Sequence, residues 1–105
     1  MVSRVQIVIP SAEISDFCAR WSITEFSLFG SVLREDFRAD SDIDVLVTFA
    51  EDAAWTLFDL VKMQDELRSL FGREVDIVSR RGLETSRNPI RKKAIVDSSV
   101  VVHAT

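Results

Sequence analysis

The sequence has little with which to staple a chain, ligate through imidazole or anchor in lipid. Cys18 is its only cysteine, so an intrachain disulfide is excluded, and apolar neighbours assign it to the core. His103 is the only histidine; near the end of the sequence, it is read as a surface residue without a role. The opening apolar run, Val5-Gln6-Ile7-Val8-Ile9, is too short and too interrupted for a signal segment or a membrane span. With no signal-like start, the cytoplasm is the expected compartment and no membrane partner is expected. Neither a repeat nor a low-complexity run occurs.

What is present is the make-up of a folded protein: 105 residues, 47% hydrophobic and 29% charged. That is the size of one domain, residues 1–105, with a single core and no room for a separate substrate domain. A formal net charge of −4 argues against a general nucleic-acid binder, and no direct contact with nucleic acid is expected. The charge is unevenly spread. Between Glu35 and Asp44 five acids accompany one base, Arg38, whereas between Arg80 and Lys93 six bases accompany one acid, Glu84. The basic segment suits a triphosphate, an acidic partner surface, or simply a solvated loop and helix face.

One stretch carries chemistry: Phe29 to Val47, which opens with Gly30-Ser31 and closes with Asp42-Ile43-Asp44 leading into an apolar run. Side chains alternate along a strand, so Asp42 and Asp44 share one face while Ile43, Val45 and Val47 take the other. At an effective dielectric near 20, two like charges roughly 4 Å apart repel by about 4 kcal/mol, so such a pair in a cleft favours a cation between its members. Hard oxygen ligands point to magnesium. Gly30 permits close backbone approach to an anion, and Ser31 offers a hydroxyl and an amide where a strand gives way to a helical turn. Taken singly, Gly-Ser is also an ordinary turn and Asp-x-Asp also a solvated strand end or a helix cap.

The combination, Gly-Ser, ten intervening residues and Asp-x-Asp with a strand on each side, resembles the signature of the DNA polymerase beta-like nucleotidyltransferase superfamily. More narrowly, Leu28-Phe29-Gly30-Ser31-Val32-Leu33-Arg34 and Ser41-Asp42-Ile43-Asp44-Val45-Leu46-Val47 resemble the minimal nucleotidyltransferase (MNT) proteins, often antitoxin partners of HEPN-domain toxins. The resemblance runs from about Ile23 to Ile77.

Hydrophobic periodicity supplies the elements. Residues Met1 to Ile9 read as an arm or edge strand stopped by Pro10. A helix is expected from Ala12 to Trp21, a strand from Ile23 to Phe29, a short helical turn from Ser31 to Glu35 and a polar loop from Asp36 to Ser41. Asp42 to Phe49 is the clearest strand. A core helix follows from Ala53 to Phe71, with Leu57, Leu60, Val61, Met63, Leu67, Leu70 and Phe71 on its apolar face and Gly72 as its stop. Arg73 to Ser79 reads as a strand with Asp76 opposite in face to Val75 and Ile77. Arg80-Arg81-Gly82 reads as a turn, Asn88-Pro89 as the start of a last helix with Ile90, Ala94 and Ile95 toward the core, and Val100-Val101-Val102 as a closing strand. The order predicts a small α/β (α+β) fold, a mixed β-sheet with helices packed on one face, nucleotidyltransferase-like.

Asp76 repeats the setting of Asp44, an acid between β-branched residues. Beside the Asp42–Phe49 strand in the right register it makes a third converging carboxylate; on an edge strand it merely faces solvent. The family resemblance implies the first arrangement: Asp42, Asp44 and Asp76 as catalytic and metal ligands, holding two Mg2+ ions and taking the acceptor's proton. It implies Gly30 and Ser31 as anchors for the phosphates of a nucleoside triphosphate. Arg34 and Arg38 are candidates to neutralise phosphate charge, or else pair with Glu35, Asp36 or Asp40. Resemblance to MNT antitoxins implies ATP as substrate and AMP transfer to a tyrosine of a HEPN-type toxin. A non-catalytic binding antitoxin and a small-molecule nucleotidyltransferase completed by another subunit are the alternatives.

Overall fold

The computed structural model describes residues 9–33, 41–84 and 88–104, with backbone alone at 31, 32 and 91. Four strands form one mixed sheet in the order β3-β2-β1-β4: β1 Ile23–Phe29, β2 Ile43–Phe49, β3 Val75–Ser79 and β4 Val100–Ala104. β1 runs antiparallel to β2 and to β4, while β3 lies parallel to β2. Parallel neighbours need a crossover, and helix α2, Leu57–Phe71, supplies it. Helix α1, Ser11–Arg20, precedes the sheet; a 3-10 turn, Gly30–Leu33, follows β1; α3, Arg80–Glu84, and α4, Pro89–Ser98, lie between β3 and β4. The expected mixed α/β (α+β) fold is therefore present. The proposed arm and the loop before β2 lie outside the described residues, apart from Ile9 and Ser41.

Local chemistry sets the element ends. Thr56 Oγ1 accepts the Asp59 N–H at 3.3 Å and Asp59 Oδ2 accepts the Thr56 N–H at 2.9 Å, a reciprocal cap that starts α2 at Leu57 rather than at Ala53. Gly72, at φ +71°, ends it, its N–H donating to Arg68 O at 2.8 Å. The buried stripe of α2 is narrower than the sequence suggests: Met63 and Leu67 are fully buried, but Leu57 is 76% and Val61 54% exposed. At about 100° per residue, those two lie roughly 90° and 130° from the centre of the stripe, beyond what one sheet face covers. Residues 80–82 likewise form the first turn of α3 and not a simple turn, because Ser79 Oγ accepts the Gly82 N–H at 3.0 Å and Leu83 is buried beneath.

The sheet carries a core on each side. On one face α1 and α2 pack Ile14, Phe17, Met63 and Leu67 against Phe26, Leu28, Val45 and Val75. Ile23 joins them despite its odd parity because the β1–β2 register shifts between Ile23 and Glu25. On the other face the alternate residues Phe29 and Leu46 meet Leu83 of α3 and Ile95 of α4. Helices α1 and α2 thus share one face, and α3 and α4 cover part of the second. Ile95 reaches that core, but Ala94 is exposed and Ile90 is 81% exposed, correcting the expectation that all three face inward: Ile90 stands roughly 140° around the helix from Ile95. No described helix is long and apolar enough to cross a membrane.

Candidate active site

The second face holds the acids. Strand register aligns Phe29 with Asp44 and Asp44 with Asp76, so one row of side chains crosses β1, β2 and β3. In-register neighbours share a face, and the burial pattern agrees: Ile43 and Val45 on either side of Asp44 are fully buried, as is Val75 beside an exposed Asp76. Asp44 and Asp76 together line a cavity of about 540 Å3, lined also by Ala94, Ile95 and Ser98 of α4. Asp42, two residues before Asp44, is exposed at the entry to β2 and is not among the residues lining that cavity. Its backbone is bracketed by two contacts, Arg73 Nη1 to Ser41 O at 3.4 Å and Ile43 N–H to Glu74 O at 2.9 Å.

Gly30 sits at the rim of the same cavity with φ +76°. A Cβ built there would lie 2.3 Å from Asp44 Oδ2 and 3.2 Å from its Cγ. The glycine therefore keeps open the space that the Asp44 carboxylate fills, a tighter requirement than the backbone approach to an anion read from the motif. Ser31 follows it in the 3-10 turn that Gly30 begins, described by its backbone alone. Arg34 and Arg38 lie outside the described residues.

Among the described residues no three Asp, Glu, His or Cys side chains stand together as a metal-holding group. The donors nonetheless suit magnesium, which typically takes one or two carboxylates and completes its octahedron with phosphate oxygens and water instead of an all-protein cage. Hard-oxygen donors are what Asp44, Asp76 and Asp42 offer. The α4 wall of the cavity was not legible in the sequence. Ala94 and Ser98 sit four apart on a helix, a spacing that announces nothing until the fold lays α4 across the acids. Ser98 donates its hydroxyl to Ala94 O at 2.7 Å, which leaves its lone pairs for the cavity.

A family model described as nucleotidyltransferase domain matches residues 13–102. The chain belongs to the nucleotidyltransferase-domain family. This nucleotidyltransferase is 37% identical over 76 residues to a Methanocaldococcus jannaschii protein that bears the name protein adenylyltransferase, covering 72% of this chain and 75% of the relative. Its fold matches a solved minimal nucleotidyltransferase with a TM-score of 0.66 and 34% identity, over 86% of each chain. It also matches the structure of a tri-AMPylated Shewanella oneidensis HEPN toxin in complex with MNT antitoxin, with a TM-score of 0.62 and 20% identity, over 90% of this chain and 70% of the other.

Proposed function

We propose that this nucleotidyltransferase moves AMP from ATP onto a protein hydroxyl, a tyrosine of a HEPN-type toxin partner, and acts as that toxin's antitoxin. The observation that carries the reading is the Phe29–Asp44–Asp76 row opening onto one cavity beside Gly30. Relatives named for protein adenylylation and a similar fold in an MNT antitoxin bound to an AMPylated HEPN toxin support that chemistry and that partner.

Asp42 and Asp44 are assigned to Mg2+ and the triphosphate, with Asp76 joining them at the acceptor side. Bound magnesium would screen phosphate charge and lower the pKa of the acceptor hydroxyl. The protein's own groups do the rest. Asp44 is fixed by β2 pairing on both sides, so its carboxylate is pre-oriented. Asp76, on the neighbouring strand, is assigned to receive the hydroxyl proton as the acceptor oxygen bonds to the α-phosphorus, the bond to the bridging oxygen breaks and pyrophosphate leaves. Gly30 and the Ser31 amide are assigned to the departing phosphates.

The test is incubation with the product of the neighbouring gene, ATP and magnesium, read by intact mass and peptide mapping. AMP units on a partner tyrosine, absent with Asp44→Asn, support the reading. Neutralisation of the partner without added mass, matched by Asp42→Asn protecting cells as well as wild type, would leave a binding antitoxin instead.

A further inference from the structure

Large apolar side chains stand exposed at the first turns of α2 and α4 and at Val101 on β4. The α4 site alone touches the acid-lined cavity. Ile90 is 81% exposed, and with Pro89, Lys93, Ala94 and Asp97 it lines a depression of about 470 Å3. Ala94 belongs to both hollows. Along α4 the series Ile90, Ala94, Ser98 advances roughly 40° per step, so one continuous row leads from the open shelf into the cavity.

The fold has no internal use for Ile90. α4 is seated on the sheet through Ile95 and Val96, and an isoleucine left in water forgoes the gain that burial would bring. Nor does charge dominate the shelf: Lys93 Nζ donates to Asp97 Oδ2 at 2.8 Å, so the two rim charges satisfy each other. Elsewhere in the basic segment, Arg80 is held by Glu25 and Thr48. Among the described residues that line it, the shelf is therefore apolar with a neutralised rim.

We propose that this shelf, Ile90 with Ala94 at its inner edge, receives an apolar side chain of the acceptor-bearing partner protein, close in space to the hydroxyl that takes the nucleotide. This rests on the cavity being the transfer site. The occupant follows from position: any macromolecular acceptor reaching Asp76 past α4 must lay its neighbouring residues over the shelf. One helical turn separates Ala94 from Ile90, about 5.4 Å, and an extended partner segment covers that distance in roughly two residues.

The experiment compares wild type, Ile90→Ala and Ile90→Glu for affinity toward the product of the neighbouring gene, by calorimetry, with ATP binding and circular dichroism on each variant alone. Ile90→Glu should weaken partner binding about tenfold or more, as for an apolar anchor at an interface, with Ile90→Ala in between and ATP binding unchanged. If transfer is active, KM for the partner rises while kcat holds. Wild-type partner affinity in Ile90→Glu overturns the proposal, as does an unchanged partner affinity accompanied by a change in oligomeric state, which would assign the shelf to a second copy of this chain. Tight partner binding by wild type with no AMP transferred would defeat the transferase reading, and the affinity comparison would still decide the shelf. Absence of any wild-type binding overturns it too.

Discussion

At the scale of single residues, two glycines with the same backbone requirement separate strain from contact. Gly30 and Gly72 have φ of +76° and +71°, so a Cβ at either costs roughly 1–2 kcal/mol of left-handed strain. At Gly72 a Cβ meets nothing within 4 Å among the described residues, whereas at Gly30 it strikes the Asp44 carboxylate. Gly72→Ala is expected to lower stability by about 1 kcal/mol and leave nucleotide transfer intact; Gly30→Ala should abolish transfer as well, because Asp44 must leave its place. Thermal melts paired with single-turnover assays distinguish the two, and equal transfer by both variants would refute the role given to Gly30. Ser27 offers a third case. It is fully buried and its Oγ has no hydrogen-bond partner among the described residues, a desolvation cost of roughly 1–3 kcal/mol. Ser27→Ala should therefore raise the denaturation midpoint. The paired alternation of Asp44 and Asp76 was readable, because a period of two is a local property of the chain. What Gly30 is for was not, since its neighbour Asp44 reaches it only through strand pairing.

Elements carry the next set of consequences. The start of α2 depends on Thr56 and Asp59, and Thr56→Ala should cost about 1 kcal/mol of stability in chemical denaturation. The Asp59 carboxyl is held below the usual carboxylate range, first by the Thr56 backbone N–H and then by its hydroxyl. A depressed folded pKa means that the cap's contribution is full above the ordinary Asp range and fades as pH falls through the folded value. Asp59→Asn should flatten that acid limb. Strands β1, β2 and β3 and helix α1 were legible because periodicity marks them, whereas the parallel pairing of β3 with β2 is non-local and was not. The capping box moved the helix start past Ala53, and Ser79 and Leu83 made a helix of an apparent turn around Gly82. In both cases a side chain satisfying backbone groups overrode the pattern of apolar residues. Which face each of α3 and α4 covers is set by tertiary packing, and nothing in their sequence declares it.

For the whole molecule, the acid-lined cavity makes stability responsive to ligand. Asp44 and Asp76 sit on the two parallel strands, and β2 is also paired with β1, so the cavity exists only while the sheet is intact and a nucleotide held there binds the folded state alone. Mass action then stabilises the fold by about 2.7 kcal/mol when free ligand is one hundred times Kd. With an unfolding entropy of roughly 2.1 cal/mol/K per residue, a chain of this length should melt about 12 °C higher under that condition. The same dose of ATP with EDTA in place of magnesium should give little of the shift, since the phosphates would then confront the carboxylates directly. Asp44→Asn should remove most of it while leaving the melting point of the free protein close to wild type, because the carboxylate fills a cavity wall and not the core. Scanning calorimetry on wild type and Asp44→Asn, with ATP and magnesium together and each alone, reads all of this. A shift of equal size in both proteins would place the nucleotide away from Asp44 and remove the acid row from the binding site.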